Sequence, residues 1–187
     1  MRSFLLIIST LLFCSCKTGS IKTLEKGTYR GVLEIQDRQE IPFIFEVNND
    51  SLITIYNADE RISVDEIIYQ NDSVKIQTPV FEGYIMAKIT ENGLNGRFVK
   101  PSLDRIVSFK AKKNNERFSA KKEASVHITG NWETVFNADN KVDSYIAKGI
   151  FNQKGAKVTG TFRTISGDYR YLDGIMDGDS LKLSTFD

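Results

Sequence analysis

Apolar residues alternate with polar ones along most of this chain. Tyr29, Gly31, Leu33 and Ile35 are separated by Arg30, Val32 and Glu34. Ile41, Phe43, Phe45 and Val47 are separated by Pro42, Ile44 and Glu46. Ile53 and Ile55, Val74 and Ile76, and Ile85, Ala87 and Ile89 continue the pattern. A period of two buries one face of a β-strand and leaves the other near solvent. Between these runs stand Asn48-Asn49-Asp50, Gln70-Asn71-Asp72, Glu91-Asn92-Gly93, Asn152-Gln153-Lys154-Gly155 and Asp177-Gly178-Asp179. Such clusters supply left-handed and turn conformations. Short strands joined by tight turns predict sequential antiparallel hairpins, a meander. Past the first residues, no long helical period is present.

The pattern also repeats. Residues 51–78 align without a gap on residues 158–185: Asp72 falls on Asp179, Ser73 on Ser180, Lys75 on Lys182 and Thr78 on Thr185. Both copies open on glycine and an aromatic, Gly27-Thr28-Tyr29 and Gly130-Asn131-Trp132. A fixed internal offset marks a duplicated structural unit. The expected fold is therefore all-β, with antiparallel meander sheets in two related halves. These are lipocalin-like half-barrels or a sandwich, with Tyr29 and Trp132 plugging the ends. The second copy stops at Phe186-Asp187, where the first continues into another hairpin. The second half is therefore expected to be truncated, with a bare edge and exposed apolar side chains over 181–186.

Composition adds an export signal. Arg2 precedes the apolar run 4–13, which is too short to span a bilayer. Cys14-Ser15-Cys16 follows and resembles a bacterial lipoprotein signal, with Cys16 as the lipidated residue; the alternative is a plain secretory signal cleaved nearby. Acyl chains on Cys16 would anchor the protein at the periplasmic face of a bacterial membrane. The expected organisation is a signal region 1–16, a polar tether 17–26, a first β repeat 27–110, a basic linker 111–125 and a second, incomplete β repeat 126–187. The linker reads as a solvated connection or as a contact for anionic head groups, with Phe118 as one anchoring contact.

Candidate chemistry is sparse. The formal net charge is +1, so no global field favours nucleic acid. Both cysteines lie in the signal region, which leaves no thiol nucleophile or disulfide beyond it. The single histidine, His127, has no neighbouring nucleophile motif and reads as a strand-edge residue. Too few nitrogen and sulfur ligands exist for zinc. Asp65, Glu66, Asp72, Asp168, Asp173, Asp177 and Asp179 read as turn acids, not a glycosidase pair or a calcium loop. No catalytic residue, metal site or cofactor is expected. Asp50-Ser51-Leu52, Asp72-Ser73-Val74 and Asp179-Ser180-Leu181 resemble the Asp-Ser-aliphatic acceptor of periplasmic O-glycosylation. Ser51, Ser73 and Ser180 are the residues it would modify; the same tripeptide is also ordinary hairpin chemistry.

The most distinctive stretch runs Thr159-Gly-Thr-Phe162, then Gly167-Asp-Tyr-Arg-Tyr-Leu172, then Gly178-Asp-Ser-Leu-Lys-Leu-Ser-Thr-Phe-Asp187. Pro42-Phe-Ile-Phe45, residues 55–64 and Pro79-Val-Phe81 accompany it. Together they resemble the N-terminal β domain of TlpA-like (ResA-like) thiol–disulfide reductase lipoproteins. The resemblance spans roughly 27–187. It implies a non-catalytic domain that tethers, or presents disulfide-containing client proteins to, a thioredoxin domain in the same polypeptide. The family's Trp-Cys-x-x-Cys is not in this sequence, so no catalytic residue carries over; Trp132 has no cysteine after it. The alternatives are a lipocalin-like ligand-binding lipoprotein, with Phe43, Phe45, Ile85, Phe162 and Tyr171 facing inward, or a structural envelope lipoprotein.

Overall fold

The computed structural model describes residues 20–35, 39–79 and 82–186. These form two antiparallel sheets. The first has nine strands: β1 (Gly27–Glu34), β2 (Glu40–Asn49), β3 (Leu52–Asn57), β4 (Glu60–Val64), β5 (Ile67–Gln70), β6 (Ser73–Gln77), β7 (Tyr84–Thr90), β8 (Gly93–Lys100) and β9 (Arg105–Lys113). Their order is β4-β3-β2-β1-β9-β8-β7-β6-β5. Because β9 pairs with β1, the two edges are β4 and β5, which Asp65 and Glu66 join directly. The result is a nearly closed barrel whose seam one continuous stretch of chain crosses.

Aromatic and branched side chains fill the barrel. Tyr29, Phe43, Phe45, Ile53, Ile55, Val74 and Ile85 are buried, as the alternation predicts, and Phe98 and Phe109 join them. Gly31 sits opposite Phe43, and a Cβ there would meet the Phe43 ring at 2.6 Å. The missing side chain leaves room for that ring. Two further residues close the ends. Leu24, within the expected polar tether, is buried in the same core at the Tyr29 end. Phe186 enters from the Asn57 end.

The second sheet has the order β10 (Gly130–Phe136), β11 (Tyr145–Lys154), β12 (Lys157–Arg163), β13 (Asp168–Asp177) and β14 (Ser180–Ser184). Its hairpins repeat the first sheet's registers. Tyr56↔Arg61 and Ile55↔Ile62 correspond to Arg163↔Asp168 and Phe162↔Tyr169. Gln70↔Ser73 corresponds to Asp177↔Ser180. Gly27 and Gly130 share a positive φ of 135° and 133°. The counterpart of the β4–β5 seam is the single strand β13. There the bend is absorbed by Tyr171, at φ 56°, and by a register shift between Gly160 and Phe162. The two halves are thus related, one as a nearly closed barrel and one as an open, curled sheet.

Several expectations need correction. Tyr29 does plug its half: it is 3% exposed, stacks on Phe45 at 5.3 Å and donates its OH to the Glu25 carbonyl. Trp132 makes the matching bond, Nε1–H to the Ile128 carbonyl at 2.8 Å, yet is 48% exposed. Among the described residues no equivalent of β9 pairs with β10 to close the sheet around it. Tyr171, expected inward, is 38% exposed because the bulge turns it out. The turn expected at residues 152–155 falls at Gly155-Ala156 instead. Buried Gln153 belongs to β11 and clamps the preceding segment, accepting the Ile128 N–H and donating to the Val126 carbonyl. The edge expected over 181–186 is half right. β14 is an edge strand with Leu181 exposed, but Phe186 is buried in the barrel.

The basic linker is docked, not freely solvated. Asp177 Oδ1 accepts the Lys121 and Lys122 N–H groups at 2.7 and 2.8 Å, and Ser125 N–H donates to the Gly178 carbonyl. Its strongest anchor is Arg117, only 5% exposed, while Phe118 is partly buried.

Candidate functional site

Directly paired residues of neighbouring strands share a face. The pairs Trp132↔Gly149, Thr134↔Ala147 and Phe136↔Tyr145 put β10 and β11 side chains on one surface. Gly149↔Phe162 and Phe162↔Tyr169 extend it across β12 and β13. The rings interlock there. Phe136 stacks on Tyr145 at 5.1 Å and meets the edge of Phe162 at 5.0 Å; Phe151 meets Phe162 at 5.3 Å. The Tyr145 and Tyr169 hydroxyls lie 3.2 Å apart, and that bond raises the Tyr145 hydroxyl above its ordinary value.

The segment before β10 fills one end of this trough: Ala124 of the linker and Ile128 pack with Phe151, Val158 and Met176. Trp132, whose Nε1–H reaches the Ile128 carbonyl, and Tyr169 on the same cross-strand row stand open to solvent. β10 has β11 on one side and no described strand on the other. An aromatic trough beside a free strand edge can stack flat groups, take up apolar side chains and hydrogen-bond an extended backbone.

An ionic cluster lies between the sheets. Asp173, within β13, pairs with Lys157 and lies 4.0 Å from Arg117 Nε. Burial pushes the Arg117 guanidinium below its ordinary value, and Asp173 opposes that shift. Asp177 is lowered to about 2, first by the Lys182 ammonium at 2.7 Å and then by the Lys122 and Lys121 N–H groups. Asp173 and Asp177 are therefore not plain turn acids: their partners come from β12, β14 and the linker.

The remaining sequence candidates are scattered. Cys16 lies outside the described residues. Ser51, in the β2–β3 turn, is exposed, and its Oγ donates to Asn49 Oδ1 at 2.9 Å. Ser73 and Ser180 begin β6 and β14, and each Oγ donates to the preceding aspartate, at 3.0 and 3.4 Å. His127 is exposed in the coil before β10. Among the described residues, no group of three His, Cys, Asp or Glu could hold a metal ion. A cleft of about 710 Å³ opens at the Leu24 end of the barrel, lined by Lys22, Glu25, Tyr29, Ile89 and Lys113. Phe136 and Tyr145 belong to no motif in the sequence, and Tyr169 enters only within the stretch 167–172. Their signal is alternation on either side of the turn at 137–144, read together with the repeat. No family model, curated protein or solved structure matches the chain.

Proposed function

We propose that this chain is a non-catalytic β module of a lipid-anchored, periplasmic thiol–disulfide oxidoreductase of the TlpA-like kind. Its task is to hold extended, disulfide-containing client polypeptide near a thioredoxin domain in the same polypeptide. Reduction is then the work of that domain's dithiol, through a mixed disulfide. Cys16 supplies the membrane attachment in this reading. One observation carries the presenting role: the same strand plan occurs twice, and the copy that is not closed exposes an aromatic trough beside an edge that no strand among the described residues pairs. Extended chains bind such edges by strand addition, with alternate side chains entering the trough. A lipocalin-like cavity has less support, because Phe43, Phe45, Phe98, Phe109 and Phe186 occupy the barrel interior.

The single tryptophan, Trp132, reports on this directly. Titrating the protein with an unfolded, disulfide-containing polypeptide should shift its emission to the blue and saturate. Tyr169→Ser should weaken the response about tenfold, the loss of roughly 1.4 kcal/mol. A flat titration with folded protein would remove the support for a presenting role.

A further inference from the structure

After Ser184 the chain leaves β14 and enters the barrel. Phe186 is 3% exposed, with its ring 4.5 Å from Phe43 and 5.9 Å from Phe98. Asn57, fully buried at the end of β3, holds the Phe186 main chain from both sides. Its Oδ1 accepts the Phe186 N–H at 3.0 Å, and its Nδ2 donates to the Phe186 carbonyl at 2.9 Å. A carboxamide carries an acceptor and a donor side by side, so it can bond a residue's backbone as a partner strand does. Ser184 Oγ donates to the Pro42 carbonyl at 2.6 Å. Arg117 Nη1 donates to the Ser184 carbonyl at 2.7 Å. Its Nη2 donates to the Tyr56 carbonyl and to Asn57 Oδ1, which fixes the orientation of the carboxamide.

The barrel thus reads five features of its occupant: a hydroxyl and a carbonyl at residue 184, and the N–H, carbonyl and aromatic ring of residue 186. A plug held by apolar contact alone would not call for a buried guanidinium and a buried carboxamide, both costly to desolvate. Reading a main chain accounts for both. The occupant also arrives from a strand paired on one side only among the described residues, so it can leave without dismantling the barrel.

We propose that this end of the barrel is a peptide socket for an extended hydroxyl-x-aromatic segment, filled in cis by Ser184–Phe186. The bound segment docks the second sheet on the barrel, and a peptide of the same chemistry competes with it. The inference does not depend on the aromatic trough or on thiol chemistry.

Two arms test it on the full chain. In the wild-type protein, native-state amide exchange should find the Phe186 N–H opening locally. It should exchange at least about 100-fold faster than the Phe45 and Phe109 N–H groups, which belong to residues paired on both sides. Equal rates for all three would make Phe186 ordinary core and overturn the proposal. In Phe186→Ala, the peptide acetyl-Ser-Thr-Phe-Asp-amide should shift the Asn57 side-chain amide resonances saturably. The same peptide with alanine for phenylalanine should bind at least about tenfold more weakly. A folded Phe186→Ala protein that ignores the peptide, or binds both peptides alike, overturns the proposal. If that variant does not fold, the wild-type exchange rates decide.

Discussion

The barrel and the open sheet share one strand plan, and a few matched positions separate them. In the barrel, Gly31 lies under Phe43, and Tyr29 is covered by the core that pairing of β1 with β9 encloses. In the open sheet the matching pair is Thr134 and Ala147, and Trp132 lies bare. The barrel concentrates its large rings inside, whereas the open sheet spreads Phe136, Tyr145, Phe162 and Tyr169 along a surface. A duplicated meander therefore serves two ends: filled, it is a rigid core; unfilled, it is an aromatic face.

The comparison breaks most visibly in the barrel core. Phe43→Ala removes a fully buried ring packed against Phe45, Phe109 and Phe186. It should cost about 3–5 kcal/mol in denaturant unfolding. Arg117→Ala should cost about 2–4 kcal/mol, since it takes the Arg117 donor from the Ser184 carbonyl and removes a buried charge facing Asp173. Its signature would be faster amide exchange confined to residues 117–125 and 184–186. The matched aromatics sharpen the contrast. Tyr29→Ala should destabilise by about 3 kcal/mol, while Trp132→Ala should stay within about 1 kcal/mol, because exposed sites contribute little.

The smallest effect concerns acid. Asp177 is held at about 2, below its ordinary 3.8. A carboxylate lowered by folding stabilises the folded state above its unfolded value, and that contribution fades as pH falls from near 4 through about 2. The Lys121 and Lys122 amide resonances should titrate over that window and report loosening of the linker. In Asp177→Asn the titration should vanish.

Much of this fold was legible because strand alternation and turn chemistry are local. Phe43, Phe45 and Val47 announce a buried face within one strand, and the Asp72/Asp179 match announces the duplication. What stayed hidden is long-range. Nothing around Arg117 in a lysine-rich linker says that Tyr56, Asn57 and Ser184 will surround it. Leu24 and Phe186 sit in polar stretches, and their burial depends on the barrel having two open ends. Trp132 matches Tyr29 in position; only the absence of a covering strand among the described residues makes it a surface.

Amide exchange at β10 tests the open sheet most directly, measured with and without an unfolded polypeptide. In the free protein, alternate β10 amides should exchange quickly, since an edge strand bonds one neighbour, while those of β1 stay protected by β2 and β9. With polypeptide present, the quick β10 amides should become protected. A β10 as protected as β1 from the start, or one that polypeptide leaves unchanged, would contradict the account.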